Sequence, residues 1–595
     1  MPPEFFKIPT LDVFTNFVRV QWARPFATDL MIWEWVTLIV CLLIGLIPWF
    51  LPRRPLVWIR RRLHNYAQNR WRAILTCALF PVVIRVALLP AVPLKPPSIH
   101  DEFSWLLMAD TFRSGRLTNP THPLWQHFET IHVIQKPTYN SMYPPAFGAL
   151  IAFGDLLHNP WIGVLVSVAL MCGAICWMLQ AWLPPAWAFG GSLIAAARIG
   201  IGGSWANGYV GGAPVPAMAG ALLVGSMIRL ISRPTRTTAS VFALAVALLI
   251  NTRPFEGSIV SGICAAIIVW RLKNSPTRSA ITLPMLGPAA LILVVGVAFT
   301  LYYSWRVTGD PLKMPYVVNR ETYGWPENLA LLPPQKVVYR HKILKDMHLI
   351  ELSRRDRYST LGRMLASWSA RYVELWEYFV GPALTPAVLF LPFTMWSRRY
   401  RIPIYVLALT LLLNTLQLMA YPQHVAIAVG PFYLLLTAGM RYLYVNAMKA
   451  RLRPERLMAA IVICLACSIS MHLTLDQLHP KIGAFWEWAH LKFGETRAAM
   501  TSKLAQMPGK HLVFVCYSPS HVPHEEWVYN RADIDGSKIV WANSMSAHED
   551  LELLRYFHDR QAWTVWPDRD PGWFWPLADE DVGCSQRQAV WRWAP

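Results

Sequence analysis

About a dozen long apolar runs recur along this 595-residue chain, and they constrain its fold more than any other feature. They cover residues 31–51, 73–94, 160–183, 187–205, 213–231, 239–252, 256–271, 280–305, 381–396, 402–420, 425–444 and 457–475. Lipid offers the backbone no hydrogen-bond partner, so segments that cross it must be helical. The expected class is therefore a membrane all-α bundle of about 12 transmembrane helices. Composition agrees: only 15% of residues are charged, against roughly 25% in soluble domains. The 29 tryptophans suit a membrane interface.

Charge sets the orientation. The net charge is +20, and the lysines and arginines fall in short loops between apolar runs: Arg53 to Arg72, Arg229 to Arg236, Arg271 to Arg278, 397–401 and Arg441 to Arg456. Every second connection is basic, which places those loops in the cytoplasm. Residues 95–159, 205–212, 251–256, 306–380 and 421–424 then lie outside, as does everything after 476. This topology accounts for most of the charge, the rest being compatible with anionic lipid or a phosphate-bearing substrate. No continuous soluble basic patch exists, which argues against a nucleic-acid partner.

Three parts follow: an N-terminal segment 1–30, a membrane module 31–475 with long outer loops 95–159 and 306–380, and a polar region 476–595. In the first outer loop, Asp101 to Phe112 and Pro144 to Leu157 read as short surface helices. After 476, HLVFVCY (511–517) and AWTVW (562–566) read as strands and HEDLELLRYFHDR (548–560) as a helix. A small extracytoplasmic α/β domain is expected there. Most of the nine cysteines lie in apolar runs as small hydrophobes. Cys516 and Cys584 could pair if their region is extracytoplasmic.

Asp101-Glu102 is the sharpest chemical signal. Acids at a helix start can simply favour the dipole, or serve as a general base or metal ligand at the membrane surface. His100, His122, His127 and His132 crowd the same loop without a zinc spacing. Arg253 and Glu256 form either a phosphate contact or a helix-capping ion pair. Arg198 lies in an apolar run close to its outer end, and His424 in the outer turn YPQHVA. GYVGGAP (208–214) lacks the ending of a nucleotide loop.

A basic loop, a span, an outer acid pair, a surface helix and then QKPTYNSMYPPAFG (135–148) follow one another in order. This order, together with NTRPFEG (251–257) and YSWRVTGDPL (303–312), resembles the GT-C membrane glycosyltransferases. The likeness is to glycosyltransferase family 39, with the protein O-mannosyltransferases and the lipid A aminoarabinose transferase. The resemblance implies a polyprenyl-phosphate-sugar donor and a hydroxyl acceptor on a glycan, lipid or protein. Transfer would invert the anomeric carbon at the outer face of a bacterial inner membrane. It implies Asp101 as base, with Glu102 positioning the acceptor or sharing a divalent metal ion. Lys136, Arg253, Arg198 and His424 would bind donor phosphate, and Tyr139, Tyr143, Glu256 and His132 would contact substrate. The chain departs from the family pattern at Met142, where relatives carry a basic residue before Tyr-Pro-Pro. A lipid or glycan flippase is the rival reading, although its usual internal repeats are not evident.

Overall fold

The computed structural model describes residues 36–37, 39–41, 43–50, 52–201, 203–273, 283–324, 336–418, 421–451, 453–478, 493–569, 572–577 and 584. The segment 1–30 lies outside the described residues. The chain is mostly helical. Among the described residues, six helices are long and apolar enough to cross a membrane: Pro160–Leu179, Pro214–Ser232, Pro254–Lys273, Met285–Thr308, Pro422–Lys449 and Pro454–Met471.

Other expected spans take shorter forms. The run 187–205 is the helix Pro185–Gly200, 239–252 is Arg236–Ile250, and 402–420 is Arg401–Leu416. The run 381–396 breaks into Gly381–Val388 and Leu391–Met395. Pro392 stands in the first turn of the second piece and has no N–H to donate to the Val388 carbonyl, so the hydrogen-bond ladder is interrupted there.

Helix starts are fixed by polar side chains at the ends of the apolar runs. Asn159 accepts the Trp161 backbone N–H at 3.0 Å, and Asn69 accepts those of Trp71 and Arg72 at 3.1 Å. Such caps satisfy donors that lipid cannot. Burial sorts the helices by position. The Pro422–Lys449 window is 83% buried and central, whereas that of Met285–Thr308 is 11% buried. Leu291, Val294 and Val295 of the latter point away from the protein, as suits a lipid-facing helix.

The two surface helices are His100–Arg113 and Pro145–Leu156. The second lies between the first and Pro160–Leu179, packing against both. Gly163 permits this approach: a Cβ there would stand 1.9 Å from the Leu150 carbonyl oxygen. The chain between them forms a small antiparallel sheet in the order β1 (Asn119–Pro120), β3 (Thr138–Ser141), β2 (Val133–Ile134).

The polar C-terminal stretch carries β4 (Lys510–Val515), β5 (Ile539–Asn543), β6 (Arg560–Val565) and β7 (Phe574–Pro576), ordered β5-β4-β6-β7. The first three are parallel, and β7 is antiparallel to β6. A disulfide joins Cys516, just after β4, to Cys584. One core merges this sheet with the first outer segment, bringing Leu107, Phe128, Val133 and Tyr139 against Leu512, Phe514 and Val540. Polar contacts lock the same boundary. Asn543 Nδ2 donates to the carbonyls of His127 and Glu129 at 3.3 and 2.9 Å, and Arg531 pairs with Asp110 at 2.8 Å.

The basic loops collect at the other end of the bundle. Arg60 donates to the Tyr444 hydroxyl at 2.7 Å, Gln180 to the Arg70 carbonyl at 3.1 Å, and Arg229 to the Trp177 carbonyl at 2.8 Å. Arg399 donates to the Trp182 carbonyl.

Candidate functional site

Asp101 stands in the first turn of the His100–Arg113 helix, where unpaired backbone N–H groups favour a negative charge. Its neighbours come from the following loop. His132 Nδ1 lies 2.7 Å from Asp101 Oδ1, and the Tyr143 hydroxyl donates to the same oxygen. That hydroxyl is also 2.9 Å from His132 Nδ1. His100 Nε2 lies 3.6 Å from Oδ1. His132 reaches this position through a left-handed backbone, φ 62°, which few non-glycine residues adopt. Among the described residues, Oδ2 takes no hydrogen bond.

Burial opposes ionisation of Asp101, but His100, His132 and the Tyr143 hydrogen bond outweigh it and hold the carboxyl well below its usual range. Burial and the adjacent His132 push the His100 imidazole down. Burial and the Asp101 charge push the Tyr143 hydroxyl up, so it remains a donor. The result is an anion with one oxygen held and the other open.

Arg253 faces this anion from the turn before Pro254–Lys273. Burial lowers its guanidinium, opposed by the nearby Glu256 and Asp101 carboxyls, and it stays a cation. Its Nη2 donates to the carbonyls of Gly211 and Gln423 at 3.3 and 3.2 Å, tying three turns together.

The adjacent acids divide, because successive residues of a helix point about 100° apart. Glu102 turns into the protein. Its Oε2 accepts the Ser98 N–H at 2.8 Å and its Oε1 the Tyr209 N–H at 3.0 Å. Both carboxylate oxygens thus hold backbone, and Glu102 fastens the helix start to the 208–209 loop.

The remaining sequence candidates scatter around this centre. Tyr139 donates to the Asn530 carbonyl at 3.0 Å, joining the loop to the C-terminal sheet region. Glu256 accepts a 2.5 Å bond from Gln417 Nε2. Arg198 donates to the Glu377 carbonyl. Gly381 makes room for it, adopting φ 63° with its Cβ position 2.7 Å from Arg198 Nη2. His424 Nδ1 accepts the Tyr421 N–H at 3.3 Å. The Lys136 ammonium sits 4.4 Å above the Trp125 ring, on an exposed edge of the loop.

Three further residues join the site from regions that carry no sequence motif. His524 stacks on His100 with ring centroids 5.3 Å apart. The turn bearing His524 packs against the helix Lys342–Ser353, which supplies buried Glu351. Arg354, at the end of that helix, stands 5.7 Å from the Tyr421 ring and within electrostatic reach of His100 and His524. A single Glu or Arg in a mixed charged loop gives no spacing signal; only the convergence of the outer segments identifies these residues.

His100, Asp101 and His132 offer ligand atoms within 4.8 Å of one another. His100 Nδ1 is buried without a hydrogen-bond partner among the described residues. Two imidazoles and a carboxylate are a donor set that fits a divalent transition metal.

No family model matches the chain. No curated protein matches it. Among solved structures, ArnT from Cupriavidus metallidurans bound to undecaprenyl phosphate is similar at 12% identity, over 82% of this chain and 93% of that one, with a TM-score of 0.43. The oligosaccharyltransferase of Archaeoglobus fulgidus tethered with an acceptor peptide is similar at 9% identity, over 83% of this chain and 68% of that one, with a TM-score of 0.43. Both are members of the GT-C superfamily.

Glu351 makes the site's electrostatics testable. Burial pushes its carboxyl up to about 7, with His132, Arg354 and Arg320 pulling down and Asp101 pushing up. The folded chain therefore holds this proton more tightly than an unfolded glutamate, whose ordinary value is 4.5. That stabilisation is complete below the unfolded value and is lost as pH rises through about 7. Glu351→Gln cannot ionise, so its thermal stability relative to wild type should rise between about pH 5 and pH 8, by on the order of 3 kcal/mol at most. A pH-independent difference between the two proteins would contradict this electrostatic description.

Proposed function

We propose that this chain is a membrane glycosyltransferase that moves a sugar from a polyprenyl-phosphate-linked donor to a hydroxyl acceptor. The observation that carries the reading is Asp101: an ionised, largely enclosed carboxylate with one oxygen open, faced by Arg253 at one end of a bundle of apolar helices. An anionic base beside a fixed cation suits a reaction that removes a proton and releases a phosphate. The motif order in 95–160 supports the same reading.

In the proposed reaction the acceptor oxygen attacks the anomeric carbon as the bond from that carbon to the phosphate oxygen breaks. The acceptor proton passes to Asp101 Oδ2, and polyprenyl phosphate leaves as an anion beside Arg253. One displacement inverts the anomeric centre. Tyr143 and His132 hold the carboxylate in place for the proton transfer. Arg253 stabilises the charge that develops on the leaving phosphate, and Arg354 approaches from the second outer loop to do the same. The isoprenoid tail lies along the lipid-facing helices. Lys136, on the exposed rim, and His424, in the turn that Arg253 fastens, serve donor entry in this scheme. Arg198 acts at a distance by holding the 377–381 backbone.

We extend the proposal to a divalent cation at His100, Asp101 and His132. When bound, such an ion supplies positive charge beside the acceptor and the phosphate. Chelation should then lower activity, with recovery on adding Mn2+ or Zn2+; full activity in chelator removes the ion from the scheme.

The test of the main reading uses the full chain in nanodiscs with radiolabelled polyprenyl-phosphate sugars and hydroxyl acceptors. Wild type should release polyprenyl phosphate, and Asp101→Asn should lose roughly 10²–10⁴-fold in rate while staying inserted and folded. Wild-type turnover in that variant would remove Asp101 as the base.

A further inference from the structure

The helix Arg53–Ala67, RRPLVWIRRRLHNYA, has no part in the chemistry at Asp101. It lies at the basic end of the bundle and runs at 98° to the helix Ile39–Phe50 that precedes it. It contains no acid, and Arg54, Arg60, Arg61 and Arg62 are exposed. Trp58, Ile59 and Leu63 are also exposed. At about 100° per residue these three fall within an arc of about 140°, an exposed and mainly apolar stripe in which Arg62 lies over the Trp58 ring. Positions beside and beyond this stripe fasten the helix to the bundle. Arg60 donates to the Tyr444 hydroxyl at 2.7 Å, Tyr66 meets Phe189 with ring centroids 5.5 Å apart, and Ala67 is buried.

The same end of the bundle repeats one pairing. Arg62 stands over Trp58 at 5.2 Å, Arg70 over Trp71 at 5.1 Å, and Arg271 over Trp270 at 5.2 Å. All three tryptophans are exposed and sit on separate helices. Tryptophan seeks the level of lipid headgroups, and an arginine beside it reaches headgroup phosphate while its stem covers the ring. A single plane passing through several helices explains the repetition. A protein partner, meeting one side of the molecule, does not.

We propose that the Arg53–Ala67 helix lies flat in the membrane interface and binds anionic phospholipid headgroups. Trp58, Ile59 and Leu63 enter the acyl boundary, and Arg54, Arg61 and Arg62 contact the headgroup phosphates. A continuous membrane crossing is excluded for this helix by the cost of its arginines in hydrocarbon. Its exposed apolar stripe fits the interface, where a basic amphipathic helix gains from both burial and charge. The helix thus fixes the depth of the bundle at the end opposite the site, and it does so independently of the reaction proposed above.

The test is hydrogen exchange of peptides covering 53–67 in the full chain. The chain is placed in nanodiscs of phosphatidylcholine alone or of phosphatidylcholine with phosphatidylglycerol. Exchange should be slower by roughly tenfold or more in the anionic discs. The triple variant Arg54→Gln, Arg61→Gln, Arg62→Gln should lose that difference, and the corresponding lysine variant should keep it. Equal exchange in both discs for wild type would overturn the proposal, as would a glutamine variant that retains the difference. Protection found only in native membranes, and in neither disc, would overturn it in favour of a protein partner.

Discussion

A carboxylate enclosed by protein stays ionised only where donors surround it, and one end of this molecule is arranged around that requirement. Asp101 draws His132 and Tyr143 onto one oxygen. His132 needs an unusual backbone to arrive there, and Tyr143 depends on the loop that leads into the helix Pro145–Leu156. The enclosure also needs the second outer loop, which brings Glu351 and Arg354, and the C-terminal region, which lays His524 against His100. Each piece alone would expose the carboxylate to water and weaken its interactions.

Helix geometry explains why an acid pair can look like one functional unit and act as two. Glu102 faces the protein and accepts backbone N–H groups from Ser98 and Tyr209. It thereby fixes the start of the helix on which Asp101 rides. A carboxylate that holds backbone and a carboxylate left partly open occupy adjacent places in the chain, about 100° apart around the helix.

The apolar runs made most helices legible, because hydrophobicity over many residues is a strong signal. The basic loops likewise foretold which connections share an end of the bundle. The proline break near Leu391 was harder to see, since its flanks are as apolar as a true span. Asp101, Tyr143 and Arg253 stood out from the motifs and His132 from the histidines crowding the first long loop, and the structure brings them together. Lys136 stood out from the Lys-Pro position of the motif and Arg198 from its place near the end of an apolar run, and their contacts lie with Trp125 and the Glu377 carbonyl. Glu351, Arg354 and His524 carry no local pattern, so only the tertiary approach of distant loops could reveal them.

The most direct measurement is a cryo-EM structure of the full chain in nanodiscs with a polyprenyl phosphate bound. The account predicts phosphate density at the Arg253 side chain, on the side facing Asp101, with the tail leading out between apolar helices. Phosphate density away from Arg253 and Asp101, with that site still closed, would contradict it.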